Sequence, residues 1–316
     1  MLSRIRFTIN DLWLVVLVVI WGLNLTVLKV IFREVTPLAT NMVRFTVATL
    51  AFLILISCLE GHTWRLRRGD WPRVALLGLL GHTGFQLCFV MGLNRTSVTH
   101  SALIFGSTPL VVALLSRWVG HERLNWPIWA GLVASFTGVA LTVTGKQEVS
   151  GRAVSTLGGD LMIFGAVLMW ALYTVFGKPL LARYSPLRFT GLSMAVGSVP
   201  LIVISLPACR EINWTELSVA TWAGLAYSSL GALLICYLIW YRSVARVGNS
   251  RTAAFENLVP VVGAALAWWL LGEGMSLQLI LGGAFILGGV TLTRLSGRAR
   301  DAAPRAAPRP AAASGA

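Results

Sequence analysis

The chain has 316 residues, of which 56% are hydrophobic and 12% are charged, and its mean hydropathy is +0.75. A water-soluble domain of this composition would struggle to stay in solution, so the sequence predicts a membrane protein. The net charge of +14, taken alone, would also suit a nucleic-acid partner.

Ten apolar runs follow one another along the chain, each close to the 20 residues or so that cross a bilayer core as a helix. The loops between them are short and leave no room for a soluble domain. The first run has no cleavage site after it, so we expect it to be retained. The predicted helices are approximately 12–32, 37–57, 71–92, 97–118, 126–144, 158–177, 186–206, 217–239, 252–271 and 277–296.

The basic residues are divided unequally between the two sets of loops. If the N-terminus is cytoplasmic, 19 of the 26 Lys and Arg residues lie on that side, five lie on the other, and Lys29 and Arg44 fall within helices. The positive-inside rule produces this asymmetry. The charge therefore indicates a multi-pass protein of the plasma (inner) membrane with both termini cytoplasmic, and we expect no nucleic-acid partner.

The two halves of the sequence are similar to each other. When the sequence is shifted by 149 residues, identical Asp, Trp, Lys and Pro residues of the two halves align. After a two-residue insertion the shift becomes 151, and identical Trp, Pro, Glu and Gly residues align. The matched pairs are Asp11 and Asp160, Trp21 and Trp170, Lys29 and Lys178, Pro37 and Pro186, Trp71 and Trp222, Pro109 and Pro260, Glu122 and Glu273, Gly131 and Gly282, and Gly138 and Gly289.

Each half contains five predicted helices, so the second half must enter the membrane in the opposite sense to the first. The sequence therefore predicts an all-α membrane protein with two inverted-topology repeats, residues 1–145 and 155–296, and a disordered cytoplasmic tail, residues 297–316. Inverted repeats are typical of secondary transporters, which bind their substrate near the membrane midplane between the repeats.

Five segments in this order resemble the EamA-type, ten-helix members of the drug/metabolite transporter superfamily. The resemblance covers roughly residues 11–296, and it departs from the family pattern where His121 separates Gly120 from Glu122. The segments are WGLNLTVLK from Trp21, PLATNMVRF from Pro37, STPLVVALLSRWVGHERL from Ser107, GDLMIFGAVLMWALYTVFGK from Gly159, and NLVPVVGAALAWWLLGEG from Asn257.

The resemblance implies a transporter, often an exporter of amino acids or other small polar metabolites, that works without ATP. The absence of a G-x-x-x-x-G-K-[ST] phosphate loop agrees with this. A flippase or efflux protein for lipid-linked or drug-like substrates of the same superfamily is the first alternative. A membrane-embedded enzyme is less favoured, since the sequence offers no clustered ligands or nucleophile with a base. We expect no cofactor and no metal, a proton as a candidate coupling ion, and a monomer or weak homodimer.

Charged residues within apolar runs mark candidate binding residues, because a charge at the membrane centre costs about 2.5 to 3.5 kcal/mol. Lys29 lies near the end of the first helix, where it could snorkel to the interface or face a cavity. Arg44 lies seven residues after Pro37, about 10 Å deep at 1.5 Å per residue. It could bind a substrate carboxylate or join helices through backbone carbonyls.

Polar and aromatic side chains mark further candidates. Trp21 and Asn24 share one face of the first helix, and Trp170 and Tyr173 occupy the corresponding face of the sixth. Core packing is the alternative explanation for each pair. His82 and Gln86, four residues apart, could hydrogen-bond a polar ligand from the third helix, although a helical histidine is more often structural.

Two prolines are candidate hinges. Pro109 and Pro260 fall near mid-membrane, and each removes a backbone hydrogen bond, so we expect kinks that leave the carbonyls of Phe105 and Glu256 without their normal partners. Glu256 is also a carboxylate within the ninth helix. It could bind a substrate amino group, carry a proton or pair with Arg251 or Arg242. Asn257 beside it is a further candidate for the cavity wall.

Overall fold

The computed structural model describes residues 9–61, 65–119, 126–144, 148–149, 152–153, 155–247, 255 and 258–301. These residues are almost entirely helical. The helices are α1 (Ile9–Ile31), α2 (Pro37–Leu59), α3 (Trp71–Gly78), α4 (Phe85–Arg95), α5 (Val98–Phe105), α6 (Thr108–Trp118), α7 (Trp126–Thr144), α8 (Leu157–Leu181), α9 (Pro186–Arg210), α10 (Val219–Ala226), α11 (Cys236–Val247), α12 (Val259–Leu271) and α13 (Leu277–Asp301).

Several short elements connect these helices. A wider π-helical segment, π1 (Leu79–Gly84), joins α3 to α4, and a second, π2 (Tyr227–Ile235), joins α10 to α11. A single 3-10 turn (Arg68–Asp70) precedes α3. Between α7 and α8, two two-residue strands, β1 (Glu148–Val149) and β2 (Arg152–Ala153), pair in antiparallel register.

Six helical spans are long and apolar enough to cross a membrane, and four shorter apolar helices accompany them in the described part of the chain. Large apolar side chains such as Leu50, Ile54 and Trp269 are exposed on their outer faces, which suits contact with lipid tails rather than water. The predicted all-α membrane fold is confirmed. The six spans are Ile9–Ile31, Pro37–Leu59, Arg68–Arg95, Leu157–Leu181, Pro186–Arg210 and Val219–Ser243.

Equivalent helices of the two halves begin in the same way. Thr36 and Ser185 are N-caps whose hydroxyls accept hydrogen bonds from the third backbone amide of α2 and α9, at 3.3 and 3.1 Å. Pro37 and Pro186 follow at the first helical position, where a missing N–H costs nothing. The same local signal therefore starts the second helix of each half.

The two halves also pack in equivalent ways. A shift of 151 residues carries π1 onto residues 230–235, which lie within π2. Helix α1 packs against π2, and its counterpart α8 packs against π1. Helix α2 contacts its counterpart α9, and α7 contacts α13. This exchange of partners places the interface between the halves along the middle of the bundle.

The fourth predicted helix is interrupted rather than kinked. Helix α5 ends at Phe105 and α6 begins at Thr108. The Phe105 carbonyl, which Pro109 cannot bond, accepts a hydrogen bond from the Thr108 hydroxyl at 2.6 Å. The Phe105 carbonyl therefore lacks its normal backbone partner, as predicted, and a side chain replaces the missing donor. The expected kink is instead a break at Gly106 and Ser107. The carbonyl of Glu256 lies outside the described residues.

Candidate functional site

A cavity lies between the two halves of the bundle. Six aromatic side chains form most of its wall, three polar side chains interrupt it, and five smaller apolar residues complete it. The aromatic residues are Trp21, Phe85, Phe89, Phe105, Trp170 and Tyr237, the polar ones are Asn24, Arg44 and Gln86, and the others are Leu25, Ala232, Leu233, Val259 and Pro260.

Arg44 reaches the cavity from α2 and is held there by neutral groups. Its Nη1 donates to the side-chain oxygens of Asn41, one turn earlier on α2, and Gln86 of α4, at 3.1 and 3.3 Å. The Asn41 amide in turn donates to the backbone carbonyl of Gln86 at 3.2 Å. These three bonds fix the position of the guanidinium between the first-half helices α2 and α4.

The charge of Arg44 has no counter-ion among the described residues. Its side chain is 1% exposed, its Nε has no hydrogen-bond partner there, and the ion pairs of this part of the chain are formed by other residues. Burial of an uncompensated cation is costly. An anion that entered the cavity and accepted a hydrogen bond from Arg44 would remove this cost.

The first helix contributes Trp21 and Asn24, which also connect it to π2. The Trp21 indole N–H donates to the carbonyl of Ala232 at 3.0 Å, and the Ser228 hydroxyl donates to Asn24 Oδ1 at 2.6 Å. π-helical segments are often found at functional sites because they redirect backbone groups and side chains. Here π2 anchors one wall of the cavity across the interface between the halves.

Trp21 and Trp170, the equivalent tryptophans of the two halves, meet at the cavity. Their ring centroids are 6.2 Å apart at an interplanar angle of 87°, an edge-to-face contact. The Tyr237 ring packs against both tryptophans, with its centroid 6.4 Å from that of Trp21 and 5.5 Å from that of Trp170. The aromatic wall therefore contains residues from both halves.

His82 and Tyr173 are near the cavity but do not line it. The His82 ring is fully buried, its Nε2 lies 3.1 Å from Ser193 Oγ, and its centroid lies 5.1 Å from the Tyr173 ring. The Tyr173 hydroxyl also contacts Ser193 Oγ, at 2.9 Å. His82 lies within π1, and its ring contacts Ser193 and Tyr173 instead of the cavity.

The remaining sequence-predicted residues are distributed around the site. Lys29 is half-buried, does not line the cavity and lies close enough to Glu273 for electrostatic attraction. Pro260 lines the cavity, whereas Pro109 does not. Glu256 and Asn257 lie outside the described residues, so their positions in the site remain predictions.

Four aromatic wall residues were not among the residues predicted from sequence to line the cavity: Tyr237, Phe85, Phe89 and Phe105. Phe85 and Phe89 are four residues apart on α4 and lie on the same side of it as Gln86. Tyr237 is the counterpart of Gln86 under the shift of 151 residues, so the internal repeat could have identified it. Phe105 is the last residue of α5 and reaches the wall because the helix ends there.

Two hydrogen-bonded networks join the halves at the end of the bundle that contains Arg33, which we call the Arg33 end. The buried Glu273 carboxylate accepts bonds from the backbone amides of Val98 and Thr99, both at 2.9 Å. His100 Nδ1 lies 3.0 Å from Asp160 Oδ2, and the Thr96 hydroxyl donates to the other oxygen of Asp160. Both networks hold the start of α5 against the second half.

Other contacts join the halves at the opposite end, which we call the Asp70 end. Asp70 forms an ion pair with Arg183 at 3.1 Å and accepts a hydrogen bond from Tyr184 at 2.8 Å. Glu60 forms a second ion pair, with Arg188, at 2.9 Å. The cavity therefore lies between two ends that are each joined by their own polar contacts.

The fold defines a helical membrane protein with a cavity between two similar halves. The model of the EamA-like transporter family matches residues 8–144 and again residues 157–295. The chain therefore belongs to the EamA-like transporter family, within the drug/metabolite transporter superfamily.

Named relatives and a solved structure are similar over most of the chain. The uncharacterized transporter YyaM of Bacillus subtilis (strain 168) is 30% identical, over 81% of this chain and 83% of its own. A probable terminal-alkyne amino-acid exporter of Streptantibioticus cattleyicolor is 29% identical, over 92% of this chain and 95% of its own. One crystal structure matches with a TM-score of 0.65 and 20% identity, over 92% of this chain and 98% of that chain, which supports the fold alone.

Proposed function

We propose that this protein is a secondary transporter that exports amino acids, or other small carboxylates with an apolar body, by alternating access. In this proposal it spans the plasma (inner) membrane with both termini and the Asp70 end on the cytoplasmic side. The family, the similarity to an amino-acid exporter and the loop charges support this proposal.

The charge of Arg44, which has no counter-ion in the part of the chain that the structure describes, is the main support for this proposal, because it lies in an aromatic cavity. A substrate carboxylate would accept hydrogen bonds from the guanidinium, and charge-assisted bonds of this kind are the strong ones. The aromatic wall would cover the apolar part of the substrate, which gains by leaving water. A neutral polar metabolite would leave Arg44 uncompensated, so the site favours anionic or zwitterionic ligands.

Alternating access would use the two ends of the bundle in turn. The networks at the Arg33 end and the ion pairs at the Asp70 end are separate, so one end can open while the other stays joined. The break between α5 and α6 supports this step, because Gly106 and Ser107 interrupt the helix beside the cavity. A turn between two rigid helices is a natural position for a change in angle.

The test is metabolite profiling of cells and medium from strains that overexpress the protein or lack it. Overexpression should raise extracellular carboxylates with apolar side chains and lower their intracellular amounts, and deletion should do the reverse. Arg44→Gln should abolish the difference at normal expression, whereas Arg33→Gln, which removes an exposed arginine, should not. Unchanged export by the Arg44 variant would contradict the proposal.

A second candidate is efflux of apolar, drug-like compounds, which the largely aromatic wall favours. Such substrates need no anionic group, so this function predicts toxin resistance that Arg44→Gln leaves unchanged. The same pair of variants, grown on a panel of uncharged inhibitors, separates the two functions.

A further inference from the structure

Trp21, Trp170 and Tyr237 form a corner in the wall of the cavity. Their rings stand nearly perpendicular to one another, with interplanar angles of 87°, 82° and 75° for the three pairs. All three side chains line the cavity. Three perpendicular planes meet as the walls of a box meet at its corner, so one small group can contact all three rings at once. We call these three residues the aromatic corner.

The spacing of the three rings suits a cation. An aromatic ring attracts a cation that lies over its face within about 6 Å of its centroid, because the face carries the negative part of the ring quadrupole. A cation about 4 to 4.5 Å in front of each of three perpendicular rings would place their centroids roughly 5.7 to 6.4 Å apart. The observed centroid separations are 6.2, 6.4 and 5.5 Å, so an ammonium group fits the corner.

We propose that the aromatic corner binds the ammonium group of the substrate, so that the transported class is zwitterionic amino acids rather than carboxylates in general. The corner acts together with Arg44, which binds the carboxylate of the same molecule. This assignment rests on the proposed export function and narrows its substrate class. No covalent bond is made or broken.

Arg44 and the aromatic corner are neighbours in the cavity. Tyr237 lies close enough to Arg44 for an electrostatic interaction between the two side chains. The two charged groups of an α-amino acid are attached to the same carbon atom, so neighbouring sites can bind both. The guanidinium attracts the carboxylate and repels the ammonium, which gives the substrate a single orientation with its ammonium toward the corner.

Neutral oxygen atoms beside the corner can accept hydrogen bonds from the ammonium. The Ala232 carbonyl accepts one bond from the Trp21 indole, and Asn24 Oδ1 accepts one from the Ser228 hydroxyl, so each oxygen keeps a second lone pair. Ala232 and Asn24 both line the cavity, and within the described part of the chain no lining residue is acidic. Among those lining residues, the rings and these two oxygens are therefore the groups suited to an ammonium.

Groups outside the cavity hold the corner in place. The Trp240 ring contacts both tryptophans, with centroid separations of 5.6 Å from Trp21 and 6.3 Å from Trp170, but it does not line the cavity. The hydrogen bond from the Trp21 indole to the Ala232 carbonyl fixes the Trp21 ring in addition. Rings that are already fixed lose little conformational freedom on binding, which favours affinity.

The direct test compares two ligands of nearly the same shape, trimethylglycine and 3,3-dimethylbutanoate. Both have a carboxylate, and they differ in whether a positive nitrogen or a neutral carbon carries the three methyl groups. The probe is fluorine NMR of purified protein labelled with 5-fluorotryptophan, with Trp21→Phe and Trp170→Phe to assign the two signals. Both signals should shift at an about tenfold lower concentration of trimethylglycine than of 3,3-dimethylbutanoate.

An ordinary apolar wall would give the opposite order, because 3,3-dimethylbutanoate is the more apolar ligand. Equal concentrations for the two ligands, a lower one for 3,3-dimethylbutanoate, or no shift with either would overturn the ammonium site.

A second test uses competition against radiolabelled leucine exchange in liposomes. Wild type should prefer leucine to 4-methylpentanoate, which lacks the amino group, by about tenfold. Trp170→Leu removes one ring of the corner and should lower this preference to about threefold or less, whereas Trp170→Phe keeps a ring and should retain more of it. Phe89→Leu is the matched control, because it removes a wall ring outside the corner and should weaken competition by both compounds alike.

The outcomes separate the ammonium site from the proposed function. Failure of wild-type leucine exchange would contradict the proposed function alone, since the fluorine NMR comparison still tests the corner. Equal competition by leucine and 4-methylpentanoate in active wild type would overturn the corner and leave carboxylate export standing. Loss of the preference in Glu256→Gln, with full preference in Trp170→Leu, would assign the ammonium to that carboxylate and would also overturn the corner.

Discussion

The side chain of Glu273, from the second half, accepts hydrogen bonds from both the backbone amide and the hydroxyl of Thr99, at 2.9 and 2.7 Å. Thr99 lies in the first turn of α5, where backbone N–H groups have no partner within the helix. A carboxylate in this position is favoured by the helix dipole as well as by the bonds themselves. Glu273 therefore joins the two halves at the Arg33 end through the start of one helix.

Replacing Glu273 with Gln should weaken this closed end. The neutral amide loses the charge-assisted part of the bonds, so the closed form should lose about 2 kcal/mol relative to the open one, a shift of more than tenfold. A cysteine at Ala232 in the cavity wall should then react faster with an impermeant thiol reagent added from the Arg33 side. An unchanged labelling rate would show that Glu273 has no part in closure.

The contact between α7 and α13 depends on a glycine. A Cβ on Gly282 would lie 2.7 Å from Thr142 Oγ1 and 3.0 Å from the carbonyl of Gly138, so Gly282→Ala should force the helices apart. We expect a loss of about 1 to 3 kcal/mol in folding stability, measured as a lower melting temperature in detergent. Gly288→Ala is the matched control on α13, because nothing lies within 4 Å of its Cβ. Equal melting temperatures for the two variants would contradict this packing.

Sequence patterns predicted the framework of the protein better than its details. The apolar runs predicted the helices because lipid requires continuous apolar surfaces, and the internal repeat, which includes Trp21 and Trp170, led us to expect the binding site between the two halves. The break after Phe105 was not predicted, since it depends on the Thr108 hydroxyl replacing a backbone donor.

Long-range contacts account for the rest of what the sequence could not show. Nothing local in the sequence indicates that Arg44 meets Gln86, or that His100 meets Asp160 from the other half. The π-helical turn that contains His82 also has no marker in the apolar pattern, because periodicity assumes a regular α-helix.

The contact between Glu34 and Ser218, outside the membrane-spanning helices, should make one part of the stability depend on pH. The Ser218 backbone N–H donates to the Glu34 carboxylate at 2.9 Å, and this bond, with the Ser218 and Thr221 hydroxyls, lowers the pKa of Glu34. A lowered pKa means that the contribution is present above the ordinary carboxyl pKa of about 4.3 and is lost as the pH falls through the lowered value.

Wild type should therefore melt at a slightly higher temperature than Glu34→Gln from about pH 7 to about pH 5, and the difference should shrink below about pH 4. Glu211→Gln, which removes an exposed carboxylate after α9, controls for the loss of surface charge. A difference that widened on acidification would have the wrong sign for this contact.

The proposed orientation can be tested with single cysteines in a background without the four native ones. Cysteines that replace the exposed residues Arg95 and Arg210 should react with an impermeant reagent added to intact cells, and one that replaces the exposed Arg67 should react only after lysis. The charge asymmetry of the loops is the reason for this expectation. Labelling of position 67 from outside would show that the orientation in the membrane is the opposite of the proposed one.

In the proposed function, Arg44 binds a substrate carboxylate in the cavity between the halves. The most direct measurement is competition against radiolabelled leucine exchange in liposomes by unlabelled leucine and by leucinamide, whose carboxylate is replaced with a neutral amide. For wild type, leucinamide should compete at least tenfold more weakly, because it cannot form the charge-assisted bonds with the guanidinium. In Arg44→Gln, the residual exchange should no longer distinguish the two compounds. Equal competition in wild type, or full discrimination in the variant, would contradict binding of the carboxylate by Arg44.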